Sequence, residues 1–190
     1  MRKSKVERKT LETKICCEVD LDGSGNADIQ TGIGFFDHML NTLARHSSID
    51  LKLKCEGDLN VDCHHSVEDC GIVLGEALNK ALDARCICRY QSFTMPMDDA
   101  LVLCAIDISN RSYYQSNFKP TVATVGAFEC ECVDEFFRSL ASNFKINLHF
   151  YVFYGNNTHH IIEAMFKAFA KCLHDATRIN DNLLSTKGVL

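Results

Sequence analysis

Two histidine pairs, each followed after two residues by a glutamate, are the groups in this chain best suited to chemistry. They stand in "DCHHSVEDC" and "NNTHHIIEA", as His64, His65 and Glu68 and as His159, His160 and Glu163. Imidazole and carboxylate groups are common ligands of divalent transition metals. One copy of so short a motif is weak evidence, but two copies on equivalent segments predict metal binding.

Helical geometry divides the ligands of each motif between two directions. The first histidine and the glutamate are four residues apart, so on a helix they share one face and can reach one metal. The second histidine is rotated by about 100°, the helical step per residue, and points elsewhere. Each motif therefore offers a two-ligand clamp and one histidine for a different ion.

Neither clamp alone saturates an octahedral ion, so further ligands are required. The chain has 8 histidines, of which His38 in "FFDHML" and His149 in "INLHF" are the best candidates. We predict two metals, one held by His38, His64, Glu68 and a crossing His160, and the other by His149, His159, Glu163 and a crossing His65. If the crossing histidines belong to a neighbouring subunit, metal binding also drives oligomerisation.

Isolated basic residues indicate the charge of the substrate. Lys167 follows Glu163 by four residues, which places an ammonium group one helical turn from the proposed metal. Arg89, Arg111 and Lys187 are further candidate cations. Cations beside a metal suit an anionic substrate, for which phosphate is the usual group.

The elements that position these residues form two similar series. Hydrophobic periodicity predicts helices in "FFDHMLNTLARH", "HHSVEDCGIVLGEALNKALDA", "CVDEFFRSLASNF" and "HHIIEAMFKAFAKCLHDA". Period-two alternation predicts strands at the start of "ETKICCEVDLDGSG" and in "IDLKLKC", "ALVLCAIDIS" and "INLHFYVFY". The order of helix, strand and histidine-led helix occurs twice, which predicts an internal duplication of the α+β class, each half a sheet with two helices on one face.

Length and composition fit one soluble domain. The 190 residues are 46% hydrophobic, and the net charge of −5 argues against a general nucleic-acid binder. No apolar run is long enough to span a membrane, and the basic start lacks a signal-peptide core, so we expect a cytoplasmic protein. The 11 cysteines lack zinc-ribbon spacing and are interpreted mainly as small buried hydrophobic residues.

Four segments together resemble one enzyme family. "GIGFFDHML", "DCHHSVEDCGIVLGEAL", "HHIIEAMFKAFAKCL" and the closing "STKGVL" are similar to the imidazoleglycerol-phosphate dehydratase family, over nearly the whole chain. The resemblance implies one dehydratase domain of two halves, about 10–90 and 91–178, with a tail at 179–190. Each half would be a four-stranded sheet with two helices, in a split βαβ-like arrangement.

The resemblance also implies an activity and an assembly. Family members form a hollow homo-oligomer of 24 subunits with two manganese ions in each active site, at subunit interfaces. The reaction is loss of water from imidazole glycerol phosphate to give imidazole acetol phosphate, in histidine biosynthesis. The proton to be removed has no carbonyl beside it, so a metal on a ring nitrogen would stabilise an imidazolate that proceeds through a diazafulvene-like intermediate.

Roles carry over by position in the motifs. Glu12 in "LETK" corresponds to the acidic residue near the substrate, and Asp69 and Asp107 are further acid–base candidates beside the metal-binding His38, Glu68 and Glu163. The phosphate would be held by Arg89, Arg111 and Lys167, with Ser185 and Lys187 of the tail folding over it. Cys63 stands where the family pattern has an aspartate.

Two functions of other kinds are alternatives to the dehydratase. A metal-dependent hydrolase of a small phosphorylated metabolite would use a metal-bound water and would not need an imidazole in its substrate. A non-catalytic assembly module would use the histidines only to join subunits. The set of candidate phosphate-binding cations argues against the assembly module.

Overall fold

The computed structural model describes residues 2–82, 86–182 and 184–188. The first half of the chain contains β1 (Lys3–Lys9), β2 (Thr13–Asp20), β3 (Ala27–Gln30), α1 (Gly34–Ser47), β4 (Asp50–Gly57) and α2 (His64–Ala81). The second half contains β5 (Tyr90–Met97), β6 (Ala100–Asp107), β7 (Tyr113–Ser116), β8 (Thr124–Val125), β9 (Phe128–Glu129), α3 (Cys132–Phe144), β10 (Asn147–Tyr154) and α4 (Thr158–Ala176).

Two four-stranded sheets repeat one topology. Their strand orders are β1-β2-β4-β3 and β5-β6-β10-β7. In each sheet the first three strands are antiparallel neighbours, and the last strand is parallel to the one beside it. The α+β class and the internal duplication are therefore confirmed. The first sheet begins at Lys3, ahead of the predicted start of the first half at about residue 10.

The four helices lie between the two sheets. In the first half α2 packs on β1 and β2 while α1 packs on β3, and in the second half α4 packs on β5 and β6 while α3 packs on β7. Across the middle, α2 packs against α3 and α1 packs against α4. The close contact of α2 with α3 depends on two glycines: a Cβ would lie 2.5 Å from the Phe136 carbonyl oxygen at Gly71 and 2.6 Å from that of Leu140 at Gly75.

Sequence patterns located the four helices and the strands β2, β4, β6 and β10. They missed β1 because its sequence, "KSKVERK", buries only Val6. This strand lies at the edge of the first sheet, where lysines discourage pairing with other chains. Its identity as a strand comes from pairing with β2 along its whole length, which a local pattern does not contain.

The outer faces of the two sheets differ in character. On the first sheet, β2 and β4 present mostly charged side chains outward, including Lys14, Glu18, Lys52, Lys54 and Glu56. On the second sheet the outward side chains are largely apolar or aromatic, and Tyr90, Tyr113, Tyr151 and Phe153 are each about half exposed. No helix in the described part of the chain is long and apolar enough to cross a membrane.

Candidate active site

The start of α4 and the facing side of α1 bring three potential metal ligands together. The Asn157 side chain caps the helix by accepting the backbone N–H groups of His159 and His160, which fixes where the helix starts. As the helical spacing predicts, His159 Nε2 lies 3.2 Å from Glu163 Oε2. His38 Nε2, from α1, lies 3.6 Å from the same oxygen. The ligand atoms of His38, His159 and Glu163 all lie within 4.8 Å of one another.

Glu163 is the most buried member of this group. Its residue is 8% exposed, and its Oε1 lies 2.7 Å from Lys167 Nζ. Burial acts to raise the pKa of Glu163, but the hydrogen bond and charge of Lys167, with a hydrogen bond to His159, hold that pKa below its ordinary value. The carboxylate is therefore ionised at neutral pH, the form that a metal ligand requires.

The grouping of His38 differs from the sequence prediction. His38 was predicted to share an ion with His64 and Glu68, but within the chain it joins His159 and Glu163. The reason is helix packing: α1 packs against α4, whereas α2 packs against α3. This grouping within one chain rests on a contact between residues more than a hundred positions apart, which the motif spacing does not encode.

The first turn of α2 carries the matching pair. His64 Nε2 lies 3.7 Å from Glu68 Oε2, and Asp62 Oδ1 accepts the backbone N–H of His64 at 2.8 Å. In the described residues this pair belongs to no group of three or more ligands within 4.8 Å. Within one chain it therefore remains a two-ligand clamp.

The second histidine of each motif is held by a carboxylate. His65 Nδ1 lies 3.0 Å from Asp58 Oδ2, and His160 Nδ1 lies 2.6 Å from Asp99 Oδ1. An ionised carboxylate only accepts hydrogen bonds, so the proton lies on Nδ1 and Nε2 carries the free lone pair of the neutral ring. Metal-binding histidines typically have this kind of support.

Sequence reasoning missed these carboxylates. Asp58 follows β4, and Asp99 lies in the turn between β5 and β6, 61 residues before His160. The hydrogen bond to Asp58 raises the pKa of His65, while the hydrogen bond to His160 lowers the pKa of Asp99. The only available signal was that both acidic residues stand in turns, which many solvated aspartates do.

A second acidic residue faces the opposite nitrogen of each of these histidines. Glu12 Oε1 lies 3.8 Å from His65 Nε2, and Asp98 Oδ2 lies 3.5 Å from His160 Nε2. Glu12 lies in the β1–β2 connection and Asp98 in the β5–β6 connection, which are equivalent hairpins in the duplicated fold. The predicted Glu12 thus has a counterpart in the second half that the prediction did not include.

His149 points away from the helix layer. On β10, Leu148 and Phe150 are buried beneath the helices, so the alternation of side chains places the exposed His149 on the outer face of the sheet. The prediction placed His149 on one ion with His159 and Glu163. Within one chain the sheet separates His149 from α4, so only another copy could bring it to such an ion.

Two predicted acid–base candidates form ion pairs instead. The Asp69 carboxylate accepts hydrogen bonds from the side chains of Arg8 and Thr13. Asp107 pairs with Arg89, with Nε to Oδ1 at 2.8 Å and Nη2 to Oδ2 at 3.3 Å. These partners give both carboxylates a role in holding the fold.

The predicted phosphate-binding groups lie in different places. Lys167 is beside Glu163, whereas the Arg89 guanidinium donates to the Leu184 carbonyl and so holds the segment that carries Ser185 and Lys187. Arg89 N–H also donates to the Ala176 carbonyl at the end of α4. At about 1.5 Å per residue, Ala176 lies about 24 Å from His160 along the helix. Arg111 is exposed after β6, and its carbonyl accepts a hydrogen bond from Asn147.

The fold and site define a duplicated α+β enzyme whose two halves each open a helix with a histidine–glutamate pair. A family model for imidazoleglycerol-phosphate dehydratase matches residues 31–173. Imidazoleglycerol-phosphate dehydratases from Cereibacter sphaeroides and Acetivibrio thermocellus are 53% and 52% identical to the chain; the alignments cover all of this chain and 100% and 99% of the relatives.

Solved structures agree with these sequence matches. The imidazoleglycerol-phosphate dehydratase of Staphylococcus aureus has a TM-score of 0.85 at 35% identity, covering 94% of this chain and 99% of that one. The Pyrococcus furiosus structure has a TM-score of 0.87 at 38% identity, covering 97% and 100%. The chain belongs to the imidazoleglycerol-phosphate dehydratase family and is a hydro-lyase of histidine biosynthesis.

Proposed function

We propose that the protein converts imidazole glycerol phosphate to imidazole acetol phosphate with two manganese ions in each active site. The names of its relatives supply the substrate. The metal part of the proposal rests on the convergence of His38, His159 and Glu163. Lys167, which lies beside Glu163, adds a positive charge suited to an anionic substrate.

The donor atoms fit divalent first-row metals. Imidazole nitrogens and carboxylate oxygens are ligands that manganese accepts. Glu163 is ionised, and the carboxylates on Nδ1 of His65 and His160 leave Nε2 as the ligand nitrogen. When bound, the ions would supply Lewis-acid stabilisation of charge on the substrate ring.

We assign proton removal to Glu12. It lies on an exposed hairpin close to His65, so a substrate bound at that histidine would come within reach of its carboxylate. Asp69 and Asp107 are weaker candidates because each already neutralises an arginine. Asp98, in the equivalent position beside His160, would orient the imidazole or a substrate hydroxyl.

Phosphate binding is assigned to Lys167, near the middle of α4, and to groups at the C-terminal end of that helix. Lys167 provides a cation at the histidine cluster, and Arg89 holds the tail segment that carries Ser185 and Lys187. A small substrate cannot span about 24 Å of helix. We therefore propose that the cations that contact one phosphate, Arg111 among them, come from different copies of the chain.

Assembly of copies completes the proposed sites. The α2 pair has no third ligand among the described residues, and His149 faces outward among exposed aromatic side chains of the second sheet. Exposed aromatic surface favours a protein interface. We propose a homo-oligomer, of 24 subunits as the family resemblance implies, in which neighbours exchange metal ligands, and we place it in the cytoplasm.

The test is turnover by purified protein that has been stripped with a chelator and reloaded with manganese. We expect formation of the enolised ketone from imidazole glycerol phosphate with manganese and little without it. Assembled, metal-loaded protein that does not turn over this substrate would contradict the proposal. Release of inorganic phosphate instead of the ketone would support the hydrolase alternative.

A further inference from the structure

A second group of potential metal ligands lies outside the histidine clusters. The thiols of Cys63 and Cys132 and the carboxylate of Glu129 have ligand atoms within 4.8 Å of one another. Cys63 is 5% exposed and Cys132 is fully buried, while Glu129 is half-buried and forms the outer edge of the group. Cys63 and Cys132 are 69 residues apart in sequence, which is why cysteine spacing alone gave no metal signature.

The distance between the two sulfurs fits one shared ion. Cys63 Sγ and Cys132 Sγ are 3.8 Å apart. Two thiolates that each lie about 2.3 Å from a tetrahedral zinc ion are about 3.8 Å from one another. A disulfide would require the sulfurs to approach to about 2.05 Å. The geometry therefore suits a bridging cation without a change in the backbone.

The two cysteines stand at the starts of α2 and α3, the two helices that pack against each other across the middle of the fold. Cys63 is the N-cap residue of α2 and Cys132 is the first residue of α3, so both sulfurs lie at the positive ends of helix dipoles. The backbone N–H of Glu129 also donates to Cys63 Sγ at 3.4 Å. Burial and the nearby Cys63 raise the pKa of Cys132, so a cation has to displace its proton on binding.

We propose that Cys63, Cys132 and Glu129 form a site for a zinc-type divalent cation, with the fourth position taken by water. The ion would join the start of α2 to the start of α3, and so link the two halves of the fold. This site is separate from the histidine clusters and does not depend on the proposed dehydratase chemistry.

Cobalt(II) titration of the full-length protein tests the site. Metal-free protein, kept reduced with a phosphine, is titrated with Co²⁺. We expect a sulfur-to-cobalt charge-transfer band whose final intensity corresponds to one thiolate-bound Co²⁺ per chain and which zinc abolishes. Histidine and carboxylate ligands produce no sulfur band, so the clusters of α2 and α4 do not contribute to it.

Variants identify the ligands. Cys132→Ala should remove the sulfur band, whereas Cys172→Ala, which removes an equally buried thiol of α4, should retain it. If Cys132→Ala does not fold, Glu129→Gln serves instead: it should keep the band and weaken zinc binding by about 10-fold or more. Absence of the band from the wild type, or its persistence in Cys132→Ala, would overturn the proposal. Manganese-dependent turnover of the same samples reports separately on the dehydratase.

Discussion

Glu163 connects the parts of the α4 cluster, because its two oxygens contact two histidines on one side and a lysine on the other. Replacing Glu163 with Gln removes the charge but keeps the size of the side chain. We expect manganese content to fall and turnover to decrease by about 100-fold or more, since the change would remove a proposed metal ligand. Metal analysis and steady-state kinetics measure both effects.

The control is Glu135→Gln, which changes a surface glutamate of α3 that pairs only loosely with Arg138, at 3.6 Å. It should keep both metal and activity. Full metal content in Glu163→Gln, together with lost activity, would show that Glu163 acts on the substrate and is not a ligand.

Asp58 and Asp99, which bond to Nδ1 of His65 and His160, are expected to affect metal binding by holding those histidines in place. In Asp99→Asn, an amide replaces the acceptor that fixes the orientation and tautomer of His160. We expect manganese affinity to fall by about 10- to 100-fold. Asp58→Asn should lower manganese affinity in the same way, through His65. Asp28→Asn, on the surface of β3, should leave the affinity unchanged. Titration calorimetry with manganese distinguishes these outcomes, and unchanged affinity would make both aspartates merely structural.

The ionisation of Glu163 predicts a pH dependence of stability. Its pKa in the folded protein lies below the ordinary value of 4.5. A carboxyl group with a lowered folded-state pKa stabilises the protein above its unfolded-state pKa, and this contribution is lost as pH falls through the folded-state pKa. The thermal stability of metal-free wild type should therefore decline relative to Glu163→Gln below about pH 4.5. A difference in thermal stability between wild type and Glu163→Gln that stays constant with pH would contradict this prediction.

At the scale of elements, the contact between α2 and α3 determines how the halves meet. Gly71→Ala would force a methyl group against the Phe136 carbonyl and should lower the free energy of unfolding by about 1–3 kcal/mol. Gly34→Ala is the matched control, because a Cβ there has nothing within 4 Å. It should be neutral or slightly stabilising. Chemical denaturation compares the two, and equal effects would contradict the close-packing argument.

The sequence predicted the positions of the helices better than it predicted which helices pack against each other. The period of apolar residues located all four helices, because each buries one face against a sheet and other helices. It also predicted that His159 and Glu163 face each other, because that contact is made within one helical turn. It could not predict that His38 joins them, since this depends on α1 packing against α4. The contact of Asp99 with His160 is equally non-local.

At the scale of the whole molecule, the outer faces of the two sheets predict where copies meet. A charge placed on the aromatic face of the second sheet, as in Phe153→Lys, should reduce the assembled particle to smaller species because it would bury an unpaired ammonium group. Lys52→Glu changes the charged face of the first sheet and should leave the assembly intact. Size-exclusion chromatography with light scattering reports the masses. Equal particle sizes would exclude this face from the interface.

The central claim is that each active site takes ligands from more than one copy. It is tested most directly by mixing two inactive variants, His149→Ala and His159→Ala, after dissociation with a chelator and reassembly with manganese. If His149 and His159 of one site come from different copies, random mixing in equal amounts restores both ligands at about one quarter of the sites. We predict recovery of about one quarter of wild-type activity. No recovery in co-assembled particles would contradict the account.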